Sequence, residues 1–199
     1  LVASVVPKTY KKLKINLKNI YKISTNEIME NNFFKPIKIN LKKKSNLGSD
    51  RLANAIAVYK KYKSNCIVVD FGTATTFDVV TKDGIYNGGV IVPGIDISIK
   101  TIYQATAKLP LITLRKIKNV VGKNTREAMT SGFFWGYSGI ISNIIKGIEK
   151  ESKKKYKIIF TGGYSNIFSK NLNLKITVNK NLTLEGIIEI FKINNNRYL

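Results

Sequence analysis

The apolar residues of this chain fall into short blocks that are separated by glycine, proline and charged residues. Blocks of five to eight residues lie at 66–70, 76–81 and 85–92, and this length is typical of β-strands. The turn residues Lys82, Asp83 and Gly84 separate the last two blocks. We therefore expect two antiparallel hairpin units in the middle of the chain. Further strands are predicted at 1–7, where Pro7 would end a buried strand, at 157–161 and at 174–178.

Other segments have apolar residues at helical spacing. They predict helices over 52–62, with Asp50 as the N-cap, over 97–106, over 125–150, and over 184–192, with Thr183 as the cap. Asn124, Thr125 and Glu127 occupy capping positions at the start of the third of these helices. The lysine-rich stretch from 8 to 46 predicts a small basic helix and short strands. The alternation of strands and helices indicates an α/β protein.

The residue inventory excludes several kinds of site. The sequence has no histidine, so Ser-His-Asp catalysis, Cys-His catalysis and His-ligated zinc are excluded. Its one cysteine, Cys66, lies in an apolar block, which excludes a disulfide framework and favours a small core residue in a reducing cytoplasm. No apolar run approaches the length that crosses a bilayer. Carboxylates, hydroxyls, lysine, arginine and backbone amides remain for any chemistry.

The charge has two interpretations. Lys+Arg is 34 against 12 for Asp+Glu, a formal net charge of +22, and a strongly basic chain is typical of nucleic-acid-binding proteins. However, 30 of the basic residues are lysine and only 4 are arginine, and 21 residues are asparagine. Bidentate recognition of phosphate and guanine favours arginine. We therefore favour a lysine-covered surface produced by drift in composition over a nucleic-acid-binding face.

The strongest local motif is Asp70-Phe-Gly-Thr-Ala-Thr-Thr-Phe-Asp78. A strand ends in a carboxylate, Gly72 permits a tight turn, and threonines follow before the chain returns. Such a turn can offer N–H and O–H donors to a phosphate while the carboxylate holds a cation nearby. An ordinary hairpin with threonine-rich strands is the other interpretation.

A second motif is Gly48-Ser-Asp-Arg51 at a predicted loop-to-helix junction. Asp50 could accept a proton from a substrate hydroxyl, and Arg51 could bind a carboxylate through two hydrogen bonds. Taken alone, the motif is better explained by an N-cap aspartate beside a solvated arginine.

Three weaker motifs contain paired glycines or a helix start. They are Tyr86 to Gly94 with Gly88-Gly89, Gly122 to Glu127, and Thr161 to Ser165 with Gly162-Gly163. Paired glycines allow a ligand or another backbone to approach closely, and the helix start could bind an anion. A bulge, a capping box and a plain two-glycine turn explain them about equally well.

The order of these motifs along the chain strongly resembles that of the type III pantothenate kinases. The resemblance covers nearly the whole chain, and the two aspartate motifs at this spacing are its most specific part. It implies the acetate kinase, Hsp70 and actin superfamily: an α/β, ribonuclease-H-like (actin-like ATPase) two-lobe fold of mixed sheets flanked by helices. We expect residues 1–62 to be the remainder of an incomplete first lobe with an interlobe helix, and 63–199 to form the second lobe.

The resemblance also implies an activity and a role for each site residue. The enzymes of this family transfer the γ-phosphoryl group of ATP to pantothenate in coenzyme A biosynthesis. Asp50 would be the catalytic base, and Asp70 would bind the required monovalent cation, K⁺ or NH₄⁺, with Mg²⁺ accompanying ATP. The remaining roles are binding of pantothenate, by Gly48, Ser49, Asp50, Arg51 and Thr125, and binding of ATP, by Gly72, Thr73, Gly162 and Gly163. A cytoplasmic homodimer is implied, with neither membrane nor nucleic acid as an expected partner.

One part of the family pattern is not found in this sequence. The family's first lobe opens with an Asp-x-Gly-Asn-Thr phosphate loop, and the 199 residues contain no such loop. We expect the sequence to be a fragment of a longer kinase, since it begins within a predicted strand, with a natural truncation as the alternative. A second functional hypothesis follows, namely a catalytically impaired relative with a regulatory or accessory role. A nucleic-acid-binding module is a third and rests on charge alone.

Overall fold

The computed structural model describes residues 1–29, 36–43 and 47–195. These residues form six helices and six strands. In chain order they are α1 (Pro7–Tyr21), β1 (Lys38–Ile39), α2 (Ser49–Tyr62), β2 (Cys66–Phe71), β3 (Ala74–Val80), β4 (Ile85–Pro93), α3 (Ile95–Ala105), α4 (Thr125–Ser152), β5 (Lys157–Gly162), α5 (Ser165–Ser169), β6 (Ile176–Val178) and α6 (Leu182–Asn195). The architecture is a mixed α/β sheet with flanking helices, as the sequence predicts.

The strands form one six-stranded sheet in the order β1-β4-β3-β2-β5-β6. Strands β2, β3 and β4 are joined by connections of two and four residues, and neighbouring strands joined so tightly must be antiparallel. The predicted hairpin units are therefore confirmed. The outer pairs are parallel, with Lys38 opposite Ile85 in β1/β4 and Ile158 opposite Ile176 in β5/β6.

The chain divides into two compact units. The first consists of 1–66, 78–88 and 181–199. Within it α2 packs directly on α6: Gly186 of α6 lies against the backbone of Ala53, and the Thr183 hydroxyl donates to Asn54 Oδ1 at 2.8 Å. The core between the two helices is apolar, because Leu52, Ile56 and Leu182 are fully buried.

The second unit consists of 67–77 and 89–180. Its core is aromatic. The ring of Phe71 lies 5.2 Å from that of Phe160 and 5.4 Å from that of Phe168, and Phe134 stacks on Phe168 at 6.0 Å. Burial of these large rings stabilises the ends of β2 and β5 against α4 and α5. The sequence-based boundary between lobes at 62/63 stays a prediction.

Two sequence predictions about element ends are wrong. Residues 1–6 do not form a strand: Val2 makes an isolated parallel bridge with Glu27, and Pro7 begins helix α1 rather than ending a strand. Proline suits the first position of a helix, since its fixed φ is already helical and no N–H is lost there. Thr183 is not a cap either; it lies within α6, where its hydroxyl bonds to Asn54.

The start of α4 follows the sequence prediction. The Asn124 side chain accepts a hydrogen bond from the backbone N–H of Glu127 at 2.9 Å, and Glu127 in turn accepts from the N–H of Lys123. This capping box fixes the helix at Thr125. Across residues 1–29, 36–43 and 47–195, no helix is both long and apolar enough to span a membrane.

Candidate active site

The Gly48–Arg51 motif forms the N-terminus of α2. Gly48, in extended backbone, is the N-cap, and Asp50 lies in the first helical turn, so the prediction that Asp50 caps this helix is wrong. A Cβ at position 48 would lie 2.6 Å from Asp50 Oδ1. Glycine at this position therefore leaves room for the Asp50 carboxylate. The carboxylate is half-buried, and its Oδ1 accepts the backbone N–H of Arg51 at 2.8 Å.

Ser49 presents a buried hydroxyl at the same helix end. The residue is 2% exposed, and its Oγ has no hydrogen-bond partner within the part of the chain that the structure describes. An unsatisfied buried hydroxyl costs roughly 1–3 kcal/mol. Because the N-terminus of a helix also carries partial positive charge, Ser49 Oγ indicates a polar or anionic ligand at this point.

Arg51 is held by a carboxylate that sequence reasoning left without a role. Its Nε donates to Asp78 Oδ1 at 2.8 Å, and a terminal guanidinium nitrogen lies 2.7 Å from the same oxygen. Asp78 is fully buried, and the hydroxyl of Tyr86 also donates to Oδ1, at 2.6 Å. The sequence carried a signal for this cluster: Asp78 is an acidic residue among the apolar residues Phe77, Val79 and Val80 of β3, and a buried carboxylate requires partners.

The surroundings of Arg51 and Tyr86 favour the protonated form of both side chains. Burial works to lower the pKa of Arg51, but attraction to Asp78, Tyr86 and Asp50 and the hydrogen bond to Asp78 together outweigh it, and the net pKa is raised. Burial raises the pKa of Tyr86 far above its usual value, and the charge of Asp78 raises it further. The guanidinium therefore stays charged, and the phenol stays protonated and able to donate.

The second unit holds the Asp70–Thr76 motif as a tight turn between β2 and β3. Asp70 is half-buried near the end of β2, and Gly72 and Thr73 connect the strands, with the Gly72 N–H donating to the Ala74 carbonyl at 3.1 Å. Thr73 is exposed. Thr75 is 1% exposed, and its Oγ1 has no hydrogen-bond partner among the described residues. As with Ser49, a buried and unsatisfied hydroxyl at the start of β3, next to this turn, indicates a polar ligand.

Two glycines pack against this turn and hold it in place. A Cβ at Gly94 would lie 2.6 Å from the carbonyl carbon of Thr73, and one at Gly162 would lie 2.5 Å from the Phe71 oxygen. The N–H of Gly163 donates to that same oxygen at 3.1 Å. The structure thus brings the predicted ATP-binding residues together in a single cluster: Gly72, Thr73, Gly162 and Gly163.

The side chain of Tyr164 links the Gly162-Gly163 turn to helix α3 of the same unit. Tyr164 directly follows Gly163, and its hydroxyl donates to Asp96 in the first turn of α3. Burial raises the pKa of Tyr164 above its usual value, and the hydrogen bond and negative charge of Asp96 add to the effect. Sequence reasoning missed this pair, because the two residues are 68 positions apart.

Thr125 lies at the first position of α4 and is exposed. The Arg126 guanidinium donates to the carbonyl oxygen of Leu111 at 3.1 Å. The capping-box interpretation of 122–127 is therefore confirmed, while a binding role for Thr125 stays a prediction. Within the described ranges no group of three or more His, Cys, Asp or Glu side chains could hold a metal ion.

Comparison with known proteins identifies the family of this chain. The model of the type III pantothenate kinase family matches residues 1–147. The type III pantothenate kinase of Pelagibacter ubique is 47% identical over 188 residues, which cover 94% of this chain and 75% of that protein. The chain belongs to the type III pantothenate kinase family. The enzyme of that name from Paramagnetospirillum magneticum is 39% identical over 194 residues, covering 98% of this chain and 75% of its own.

A solved relative supports the same fold. The crystal structure of a candidate Baf family transcriptional activator from Campylobacter jejuni matches with a TM-score of 0.62 and 26% identity. The match covers 94% of this chain and 80% of that one. The roles of Asp50 and Asp70 in that family's chemistry stay predictions. Asp50 belongs to the first compact unit, and Asp70 and the glycine cluster belong to the second.

The donors near Asp70 are of the kind that hard cations prefer. They are oxygens: the half-buried Asp70 carboxylate near the end of β2 and the unsatisfied hydroxyl of Thr75 at the start of β3. Alkali and alkaline-earth cations prefer oxygen ligands. Asp70 and its neighbouring turn are thus chemically suited to hold a monovalent cation or a nucleotide-bound Mg²⁺.

Proposed function

We propose that this protein transfers the γ-phosphoryl group of ATP to the hydroxyl of pantothenate, giving 4′-phosphopantothenate for coenzyme A biosynthesis. The observation that carries the proposal is the α2 N-terminus, where the Asp50 carboxylate lies beside the unsatisfied Ser49 hydroxyl, in a chain of the type III pantothenate kinase family. Phosphoryl transfer depends mainly on positioning and charge neutralisation. A carboxylate base and donor-rich turns suffice, and no histidine is needed.

Asp50 acts as the general base. The backbone N–H of Arg51 binds Oδ1 and fixes the carboxylate. The second oxygen takes the proton of the pantothenate hydroxyl as that hydroxyl oxygen attacks the γ-phosphorus, and the bond from the γ-phosphorus to the bridging oxygen breaks to release ADP. Gly48 keeps the space around this carboxylate open. A positioned general base contributes about 10²–10⁴ in rate.

The other residues of the motif bind the substrate. Ser49 Oγ and the N-terminal amides of α2 offer donors to pantothenate, and Arg51 offers the outer edge of its guanidinium to the pantothenate carboxylate. Thr125 contributes a hydroxyl, with help from a second subunit. An arginine binds a carboxylate in a defined orientation because its donors form a rigid planar fork.

The glycine cluster of the second unit binds ATP. Gly72 and Thr73 present backbone and hydroxyl donors to the phosphates, and Gly162 and Gly163 give the adenosine a bare backbone surface. Asp70 holds a monovalent cation, K⁺ or NH₄⁺, while Mg²⁺ accompanies ATP. When bound, these cations neutralise charge on the phosphates.

The experiment is a phosphorylation assay on the protein expressed from its complete gene. ATP, Mg²⁺ and pantothenate are supplied, and 4′-phosphopantothenate is detected by mass spectrometry. We expect product in buffers containing K⁺ or NH₄⁺ and little in buffers containing only tetramethylammonium. Absence of product under all of these conditions would refute the proposed activity.

We also propose a homodimer, formed through an apolar groove on the second unit. The groove has a volume of about 380 Å³ and is lined by residues of α3, α4 and the connection between them, including Ile102, Leu109, Phe133, Tyr137 and Ile140. Gly132 and Gly136 of α4 also line it. Apart from the backbone of α4 itself, no atom of the described residues lies within 4 Å of where their Cβ would be, so another helix could approach closely. Light scattering should give twice the subunit mass, and Ile140→Asp should shift it toward the monomer.

A cytoplasmic location is proposed with this function, because ATP, pantothenate and a reduced thiol belong to that compartment. The thiol of Cys66 is buried in β2. The basic surface then helps to attract anionic substrates, and neither a membrane nor a nucleic acid is proposed as a partner.

A catalytically impaired relative with a regulatory role is the second candidate. One observation favours it: the resemblance of the fold to that of a candidate transcriptional activator. The phosphorylation assay separates the two candidates. A folded protein that binds ATP or pantothenate without forming product would support the regulatory role.

A further inference from the structure

The fully buried Asp78 carboxylate is the feature that the proposed function does not use. Its Oδ1 receives three donors: Arg51 Nε at 2.8 Å, a terminal nitrogen of Arg51 at 2.7 Å, and the Tyr86 hydroxyl at 2.6 Å. All three residues belong to the first compact unit. The cluster therefore lies beside the α2 N-terminus, where Asp50 and Ser49 are found.

These contacts fix the guanidinium in both position and plane. A guanidinium has five N–H donors in a rigid fork, and the two nitrogens bonded to Asp78 are on one edge of it. The other edge therefore faces away from Asp78. The Tyr86 ring adds a constraint on the face of the group, since Arg51 Cζ lies 5.9 Å from the ring centroid.

Stability alone is a poor explanation for such a cluster. Removing a carboxylate and a guanidinium from water is costly, and replacing a buried ion pair by apolar residues is often neutral or stabilising. The Arg51 side chain is also 14% exposed, while that of Asp78 is 0% exposed. One partner is thus enclosed and the other reaches the surface, as expected when the enclosed group orients the exposed one.

We propose that Asp78 and Tyr86 are positioning residues that hold the Arg51 guanidinium for the carboxylate of pantothenate, and so make the site selective for the acid over its uncharged alcohol. The inference rests on the proposed function, because it takes pantothenate as the ligand of Arg51. Asp78 offsets much of the arginine's charge, so that the site recognises the carboxylate through directed hydrogen bonds more than through net charge.

Calorimetric binding of pantothenate and of pantothenol, its alcohol analogue, tests this proposal without requiring turnover. Tyr86→Phe removes the hydroxyl bound to Asp78 and keeps the ring. We expect it to weaken pantothenate binding about three- to tenfold, the scale of one weakened hydrogen bond. Pantothenol binding should stay within twofold of the wild-type value, so that the ratio of the dissociation constant for pantothenol to that for pantothenate falls. Asp78→Asn should lower this ratio further.

Tyr10→Phe is the matched control. Tyr10 is also a buried tyrosine of the first unit, and its hydroxyl donates to the Thr25 carbonyl at 3.2 Å and not to a carboxylate. We expect this variant to leave the ratio unchanged. Thermal unfolding of each variant shows whether it is folded, and Tyr86→Phe remains informative if Asp78→Asn does not fold.

Two results would overturn the proposal. One is an unchanged ratio in folded Tyr86→Phe, which would mean that Asp78 and Tyr86 only anchor α2. The other is equal affinity of the wild-type protein for pantothenate and pantothenol. Failure of the proposed function is distinguishable from both, since it appears as absence of 4′-phosphopantothenate in the phosphorylation assay.

Discussion

Gly162 at the end of β5 lies directly against the backbone of Phe71 at the end of β2. It has a φ of +82°, and a Cβ there would lie 2.5 Å from the Phe71 carbonyl oxygen. Glycine meets both requirements, because it tolerates positive φ and needs no space for a side chain. This contact is what joins the two-glycine turn to the β2–β3 turn.

We expect Gly162→Ala to lower the free energy of unfolding by about 2–4 kcal/mol, from left-handed backbone in a residue with a Cβ and from the clash with Phe71. Gly163→Ala is the control for stability, since no atom of the described residues, apart from its chain neighbours, lies within 4 Å of its Cβ position. Urea unfolding of both proteins checks this. Equal stability of the two variants would contradict the prediction. It would mean that β5 and β2 can move apart at Gly162 with little cost in free energy.

The hydrogen bond from Tyr164 to Asp96 predicts an effect on ATP. It links the residue after the two-glycine turn to the first turn of α3. We expect Tyr164→Phe to raise the KM for ATP about three- to tenfold, on the scale of the usual net contribution of one hydrogen bond, with the KM for pantothenate unchanged. Steady-state kinetics with each substrate varied in turn measures this. Equal increases in both KM values would instead indicate a general loosening of the protein.

The predictability of the fold varied between its parts. The hairpins of β2, β3 and β4 and the capping box at Asn124 follow from local patterns, and the structure has them. The errors at Pro7 and Thr183 have a common cause. Proline and threonine each suit more than one position, and long-range contacts, such as that of Thr183 with Asn54, decide between them.

The sequence predicted the motifs of the site but not the residues that hold those motifs in place. The sequence indicated the α2 N-terminus and the glycine turns, since their residue types are scarce and adjacent. Asp78 lies 27 positions from Arg51, and Asp96 lies 68 positions from Tyr164. Residues so far apart along the sequence are brought together by the order of the strands in the sheet, and a single sequence does not show that order.

Alkaline pH should weaken the folded state through Tyr86. Burial and the nearby Asp78 raise its pKa in the folded protein, while the unfolded value is about 10. Above about pH 10 the unfolded chain therefore loses a proton that the folded protein retains, and the free energy of unfolding falls by up to about 1.4 kcal/mol per pH unit from this group. Below that pH the contribution is fully present.

Urea midpoints at pH 9 and above pH 10 test this in wild type and Tyr86→Phe. The wild-type protein should lose more stability across the interval than the variant, which lacks the titrating phenol. Parallel losses in the two proteins would assign the alkaline sensitivity to other groups.

The central claim is that Asp50 is the base for phosphoryl transfer to pantothenate. Asp50→Asn keeps the size of the side chain and an oxygen that can accept the Arg51 N–H bond, so the variant should fold and bind pantothenate. The most direct test is the turnover rate of this variant beside wild type, in the protein expressed from its complete gene with ATP, Mg²⁺, K⁺ and pantothenate. We expect kcat to fall about 10²–10⁴-fold, with the dissociation constant for pantothenate within severalfold of wild type. Near-normal turnover by folded Asp50→Asn would contradict the account.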